Sequence, residues 1–143
     1  MGAGGSVPAM ASARDWQERG KGHLPGFLGI EVLDVGSPTT LRLAVQQHHL
    51  APNGFLHAAT VVALADTACG YGCMESLPPG AVGFTTLETK SNHLGTMRDG
   101  FALGQATLMH SGRTTQVWDA TVVDEHTTKA IALFRCTQLV LYS

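Results

Sequence analysis

Residues 57–75, HAATVVALADTACGYGCME, are apolar on almost every helical face. The run is long enough for about five turns of helix. A helix with so little polar face must be buried. Val61, Leu64, Ala68 and Tyr71 recur at three- and four-residue spacing and put the bulk on one face, which the pattern predicts to pack on a sheet. Ala59, Val62, Ala63, Asp66, Cys69, Gly70 and Cys73 form a side of small residues, where a second element or a second subunit can approach closely. Pro78, Pro79 and Gly80 stop the helix near Leu77.

Around this run the pattern changes to period two. Residues 30–35 and 39–47 read as a hairpin about Gly36, Ser37 and Pro38, with Leu41, Leu43 and Val45 alternating against Thr40, Arg42 and Ala44. Residues 82–93, 101–110, 113–123 and 128–141 read as four further strands. Before the hairpin, residues 1–8 are glycine-rich and loose, residues 9–20 suit a short helix anchored by Trp16, and residues 22–29 suit a loop that tucks in Phe27 and Leu28. The chain thus divides into an N-terminal segment with a short helix, 1–23, and a domain, 24–143. One helix after two strands is not a serial βαβ arrangement, so the expected class is α+β, an antiparallel sheet wrapped around one long central helix. A second subunit is the economical cover for apolar outer surface.

Composition narrows the partners. A formal charge of −2 gives no electrostatic case for nucleic acid or an anionic membrane surface. Charged residues make up 14%, which suits a protein that hides surface in an oligomer. Cys69, Cys73 and Cys136 form no disulfide framework and read as free buried thiols in a reducing compartment. The first residues lack a basic, then apolar, secretory pattern, and no stretch is long enough to span a bilayer, so a cytoplasmic location is expected.

Asp66 is the ionisable residue in the middle of the apolar helix. It must be paired, protonated or used. Its alternative reading is a structural hydrogen bond to a neighbour. His57 precedes it by nine residues, two and a half helical turns, so the two point in opposite directions and form no dyad within one chain. His48, His49 and His57, at spacings of one and eight, match no standard metal site. Cys69 lies three residues beyond Asp66, where a carboxylate rather than an electropositive group is the neighbour, so it reads as packing.

The segment HHLAPNGFLHAATVVALADTACGYG, residues 48–72, resembles the signature of hot-dog fold thioesterases of the phenylacetate-pathway and 4-hydroxybenzoyl-CoA type. The likeness extends over roughly residues 24–141, with Asn92, His93 and Leu94 and the Gly112-Arg113 turn as later landmarks. It implies an acyl-CoA thioesterase acting on an aromatic or a medium- or long-chain acyl-CoA, with coenzyme A as part of the substrate and no separate cofactor. It implies Asp66 as base or nucleophile and the Ala58 N–H as the donor that polarises the thioester carbonyl. A helix N-terminal amide is an unsatisfied donor suited to that task. His57 would fix the loop entering the helix or touch the thioester. Asn53 and Gly54 shape the turn before the helix and are candidate ligand contacts. Asn92, His93 and Leu94 would line the pantetheine channel, and Lys90, Arg98 and Arg113 are the basic residues available to the CoA phosphates. The resemblance further implies a homodimer, or a dimer of dimers, with the site between subunits.

The sequence departs from that pattern where two glycines become Ala58 and Ala59, where an amide six residues before the histidine becomes Ala51, and where His93 replaces an aromatic. These departures keep two alternatives open: an acyl-CoA-binding protein without turnover, and a related enoyl-CoA hydratase or dehydratase.

Overall fold

The computed structural model describes residues 12–143. The glycine-rich start and the first residues of the anticipated N-terminal helix lie outside them. The central helix, α3, spans Ala58–Glu75, capped by His57 and ended by Ser76 just before the prolines. Six antiparallel strands form one sheet: β1 Glu31–Asp34, β2 Thr39–Ala44, β3 Ala81–His93, β4 Phe101–Ser111, β5 Thr115–Asp124 and β6 Ala130–Tyr142. Their order across the sheet is β1-β2-β4-β5-β6-β3, so β3 is an edge of 13 residues with no partner on its outer side among the described residues. The α+β architecture matches the expected one, with α3 packed across one face of the sheet.

The strand pattern explains the core. On β5, Gln116, Trp118, Ala120 and Val122 are buried under α3, while Val117, Asp119 and Thr121 turn outwards. β6 alternates in the same way through Phe134, Cys136, Gln138 and Val140. α3 descends closely onto this face. A Cβ at Gly72 would stand 2.6 Å from the Trp118 ring, and one at Gly104 of β4 would stand 2.9 Å from Leu64. Glycine at both positions lets the helix and sheet reach contact distance.

Three sequence expectations need correction. Residues Leu24–Leu28 form a short helix, α2, rather than a loop: Pro25 sits in its first turn, where a missing N–H costs nothing, and Gly29 closes it at φ 78°. Phe27 does not tuck in; it is 77% exposed, and only Leu28 packs towards the core. Cys69 and Cys73 are free and buried as expected, but they pack in the core with Ala65 rather than on the small-residue side with Asp66. The open side of α3 is narrower, running through Ala59, Val62, Ala63, Asp66 and Gly70.

The N-terminal helix, α1, spans Ala13–Arg19 behind a Ser12 capping box. Trp16 and Gln17 join it to the body. Trp16 is buried, stacks on Tyr71 at 4.7 Å and donates Nε1–H to Glu75 at 2.7 Å. The Gln17 amide bridges to the Ile30 carbonyl and the Val32 N–H at 2.9 and 2.7 Å, tying α1 to β1.

Candidate functional site

The loop between β2 and α3 is held by a buried histidine whose role the sequence did not reveal. His49 Nδ1 accepts from the Gln46 N–H at 2.9 Å, and Nε2 lies 2.7 Å from the Leu28 carbonyl. With Nδ1 accepting, Nε2 carries the proton and donates to Leu28. Burial disfavours the imidazolium and lowers the pKa, although the Leu28 carbonyl opposes that shift. The His49 carbonyl in turn accepts from the His57 N–H at 3.0 Å and the Thr60 hydroxyl at 2.9 Å. One residue thereby links α2, the loop and the start of α3.

At that start, His57 is the N-cap. Its Nδ1 accepts from the Ala59 N–H at 2.9 Å, and its carbonyl accepts from the Thr60 and Val61 N–H groups. This leaves the Ala58 N–H as the first-turn amide without an acceptor among the described residues. An unsatisfied amide at the positive end of a helix dipole is suited to developing negative charge on an oxygen. In neutral His57, Nδ1 acceptance places the proton on Nε2.

Ala58 and His57 line a cleft of about 480 Å³ with Ala51, Asn53, Phe55 and His93, closed on one side by Gly95 and Thr96 from the β3–β4 connection. The Asn53 carboxamide oxygen accepts from the Phe55 N–H at 3.1 Å, shaping the turn and leaving its NH₂ directed away from that bond. Gly54 takes φ 88°, a left-handed conformation that a side chain would strain. Arg98 stacks over Phe55 with its guanidinium 4.2 Å from the ring centroid, so it stands beside the cleft. Gly95 and Thr96 carry no motif signal in the sequence and enter the site only through the chain's path after β3.

The structure separates several residues that the sequence grouped. Strand alternation sends His93 to the cleft but Asn92 to the opposite side, where it lines a second groove of about 340 Å³ with Lys90 and the Asp119–Arg135 ion pair. Asn92, His93 and Leu94 therefore do not line one channel. Leu94 is exposed beyond the end of β3, held by its N–H to the Ile131 carbonyl at 2.8 Å. Arg113 lies in the β4–β5 turn, at the end of the sheet away from the cleft, where its carbonyl accepts from Tyr142. Within one protomer it does not join Arg98 or Lys90.

Asp66 does not line the cleft either. It is half-buried on α3, one turn before Gly70 and on the same face. The position of a Gly70 Cβ is 3.3 Å from the Phe84 ring on β3, so this face looks towards the open edge of the sheet. Asp66 Oδ1 is buried with no hydrogen-bond partner among the described residues, which leaves the structural alternative for this carboxylate without a partner at that oxygen. Burial raises its pKa, the direction that makes a carboxylate a better proton acceptor. The neighbouring thiols are poor nucleophiles. Contact with Cys136, then burial, drive the Cys69 pKa up, and burial pushes Cys73 up to about 12. No group of three or more metal-ligating side chains occurs among the described residues.

Known proteins resemble the chain along most of its length. A family model described as thioesterase superfamily matches residues 53–131. The 1,4-dihydroxy-2-naphthoyl-CoA hydrolase of Listeria monocytogenes is 34% identical over 111 residues, covering 77% of this chain and 89% of that protein. The enzyme of the same name from Escherichia coli is 32% identical, over 74% of this chain and 78% of its own. Among solved structures, a thioesterase from Haemophilus influenzae superposes with a TM-score of 0.87 at 26% identity, covering 94% of this chain and 93% of the other. A Pseudomonas aeruginosa thioesterase, solved with alanine in place of one glutamine, gives 0.85 at 25% identity, covering 96% of each.

Proposed function

The chain belongs to the thioesterase superfamily and hydrolyses the thioester of an acyl-CoA; we propose that Asp66 of one protomer and the Ala58 amide of a second make the site that does so. The observation that carries this reading is Asp66 itself, a carboxylate with an unpaired, buried oxygen on an otherwise apolar helix. Ionised, it takes a proton from the attacking water or attacks the carbonyl directly. The Ala58 N–H then holds the oxygen on which charge develops, and CoA leaves as its thiol.

Two halves of the site need two chains. The cleft holds the amide and His57, whereas Asp66 lies on the other side of α3, facing the β3 edge. That edge supports a homodimer: an unpaired strand of 13 residues is a template for a second copy, and Val82 and Leu87 along it are exposed. Pairing two β3 strands brings a second α3 alongside the first. A dimer of dimers remains compatible with the exposed outer face, where Met109 and Leu133 are open.

Arg98, stacked beside the cleft, serves the CoA phosphates. The acyl group we assign is aromatic, which the names of the Listeria and E. coli relatives support. The test is release of CoA from a panel of aromatic, medium-chain and long-chain acyl-CoAs, followed with a thiol reagent. Turnover of aromatic thioesters fits this assignment. Tight binding of every thioester without CoA release would instead make the protein a binder, and hydration of an enoyl-CoA would make it a hydratase.

A further inference from the structure

The cleft has two walls. The loop and the start of α3 form one, from Ala51 through Val61. The end of β3 and the connection after it form the other, through His93, Gly95 and Thr96. Hydrogen bonds fix the second wall in place. The Leu56 N–H donates to the Met97 carbonyl at 2.8 Å, and the Leu94 and Gly95 N–H groups both donate to the Ile131 carbonyl, at 2.8 and 3.1 Å. His93, the last residue of β3, therefore stands at a strand end tied to β6 on one side and, through Met97, to the loop on the other.

Polar atoms on the first wall are largely committed. His57 Nδ1 holds the Ala59 N–H, and Asn53 Oδ1 holds the Phe55 N–H. Ala51 offers a methyl group only. The Ala58 N–H remains as a donor without an acceptor among the described residues. On the second wall, His93 Nε2 lies 3.1 Å from the hydroxyl of Ser91, two residues back on the same face of β3. Its Nδ1 has no partner among the described residues. When the Ser91 hydroxyl donates to Nε2, the ring proton sits on Nδ1 and that nitrogen is a donor.

A thioester oxygen carries two lone pairs, and a single backbone N–H satisfies one of them. We propose that His93 is a further catalytic residue: from the β3 wall its ring donates a second hydrogen bond to the thioester oxygen that the Ala58 N–H holds. The proposal rests on the thioesterase reading of this cleft. Negative charge grows on that oxygen as the carbonyl is attacked, so the second bond is stronger in the transition state than in the bound substrate. It therefore raises kcat more than it lowers KM.

The experiment compares the full-length wild type with His93→Phe, which keeps a flat ring and removes both nitrogens, and His93→Gln, which keeps an N–H donor. His93 is exposed, so neither change disturbs the core. Benzoyl-CoA is the substrate. Two inert ligands are compared by calorimetry: the ketone in which a methylene replaces the sulfur of benzoyl-CoA, and the benzyl-CoA thioether, which lacks the carbonyl oxygen. His93→Phe is expected to lower kcat about a hundredfold with KM little changed. It should weaken the ketone about tenfold and leave the thioether unaltered. His93→Gln should lie between His93→Phe and the wild type in both assays. Wild-type kcat in His93→Phe overturns the proposal. So does equal weakening of ketone and thioether, which would make His93 a wall for the pantetheine arm. A loss as large in His93→Gln as in His93→Phe ties the effect to the ring's shape rather than its donor and overturns it too. If the wild type releases no CoA but prefers the ketone, and His93→Phe removes that preference, the contact stands and hydrolysis of this thioester is what fails.

Discussion

His57 and Asp66 are nine residues apart, one capping α3 and the other within it, and therefore roughly half a turn apart around the helix axis. The His57 ring lines the cleft at the helix start, whereas Asp66 shares a face with Gly70 over Phe84 of the edge strand. A site that needs both ends of this stretch takes them from two chains.

Mixing two inactive variants checks that arrangement. Ala58→Pro removes one N–H from the first helical position, where proline is tolerated, and His57 already has the extended backbone that precedes a proline. Its turnover should fall about a hundredfold. Asp66→Asn supplies the second inactive chain. After the two proteins exchange subunits, half the dimers are mixed and each has one intact site, so roughly a quarter of wild-type activity should return. No recovery after verified exchange would place both groups in one chain's site.

The Asp66 carboxyl has a folded-state pKa raised by burial above its ordinary value of 3.8. Its contribution to stability is full below that value and is lost as pH rises through the folded pKa. Asp66→Asn should therefore melt higher than the wild type at neutral pH, with the gap closing in acid. Turnover should run the opposite way, rising with pH as the carboxyl ionises. Melting curves and rates from pH 4 to about 8 follow both effects.

Much of this arrangement was legible in the chain, for physical reasons that can be named. Leu41 and Leu43 alternating against Thr40, Arg42 and Ala44 marked the faces of β2, and Pro78 and Pro79 marked the end of α3. Periodicity could not orient α3 itself. A helix apolar all round carries no polar face to mark the outside, so the pattern groups Cys69 and Cys73 with Asp66 although they face the core. α2 carries no helical signal because Pro25 and Gly26 read as a turn, whereas Pro25 sits in the first turn of a helix. Gln138 gave no signal, since a glutamine in an alternating strand reads as surface until its burial is known.

His49 sets a second pH dependence. Burial lowers its folded-state pKa below the ordinary 6.5, so its stabilisation is complete above that value and is lost as pH falls through the folded pKa. His49→Ala should cost about 2–3 kcal/mol at pH 7.5 through the lost ring and its two hydrogen bonds. Denaturant melts should show this penalty shrinking in acid. A constant penalty from pH 8 to about 5 would contradict a neutral, buried ring.

The close approach of α3 to the sheet predicts that Gly72→Ala is destabilising. The added Cβ would meet two Trp118 ring carbons at 2.6 Å and the Thr39 hydroxyl oxygen at 2.9 Å. A cost of about 1–3 kcal/mol is expected. Gly83→Ala, with no atom within 4 Å of the new Cβ, should be nearly neutral or slightly stabilising in the same urea melts.

The central claim is that the Asp66 negative charge drives thioester hydrolysis, and single-turnover CoA release by the wild type and Asp66→Asn at equal site occupancy tests it most directly. Asparagine keeps the shape and removes the charge. The expected result is a rate lower by at least about a hundredfold, with binding of the acyl-CoA retained. Asp66→Asn releasing CoA at the wild-type rate would contradict the claim.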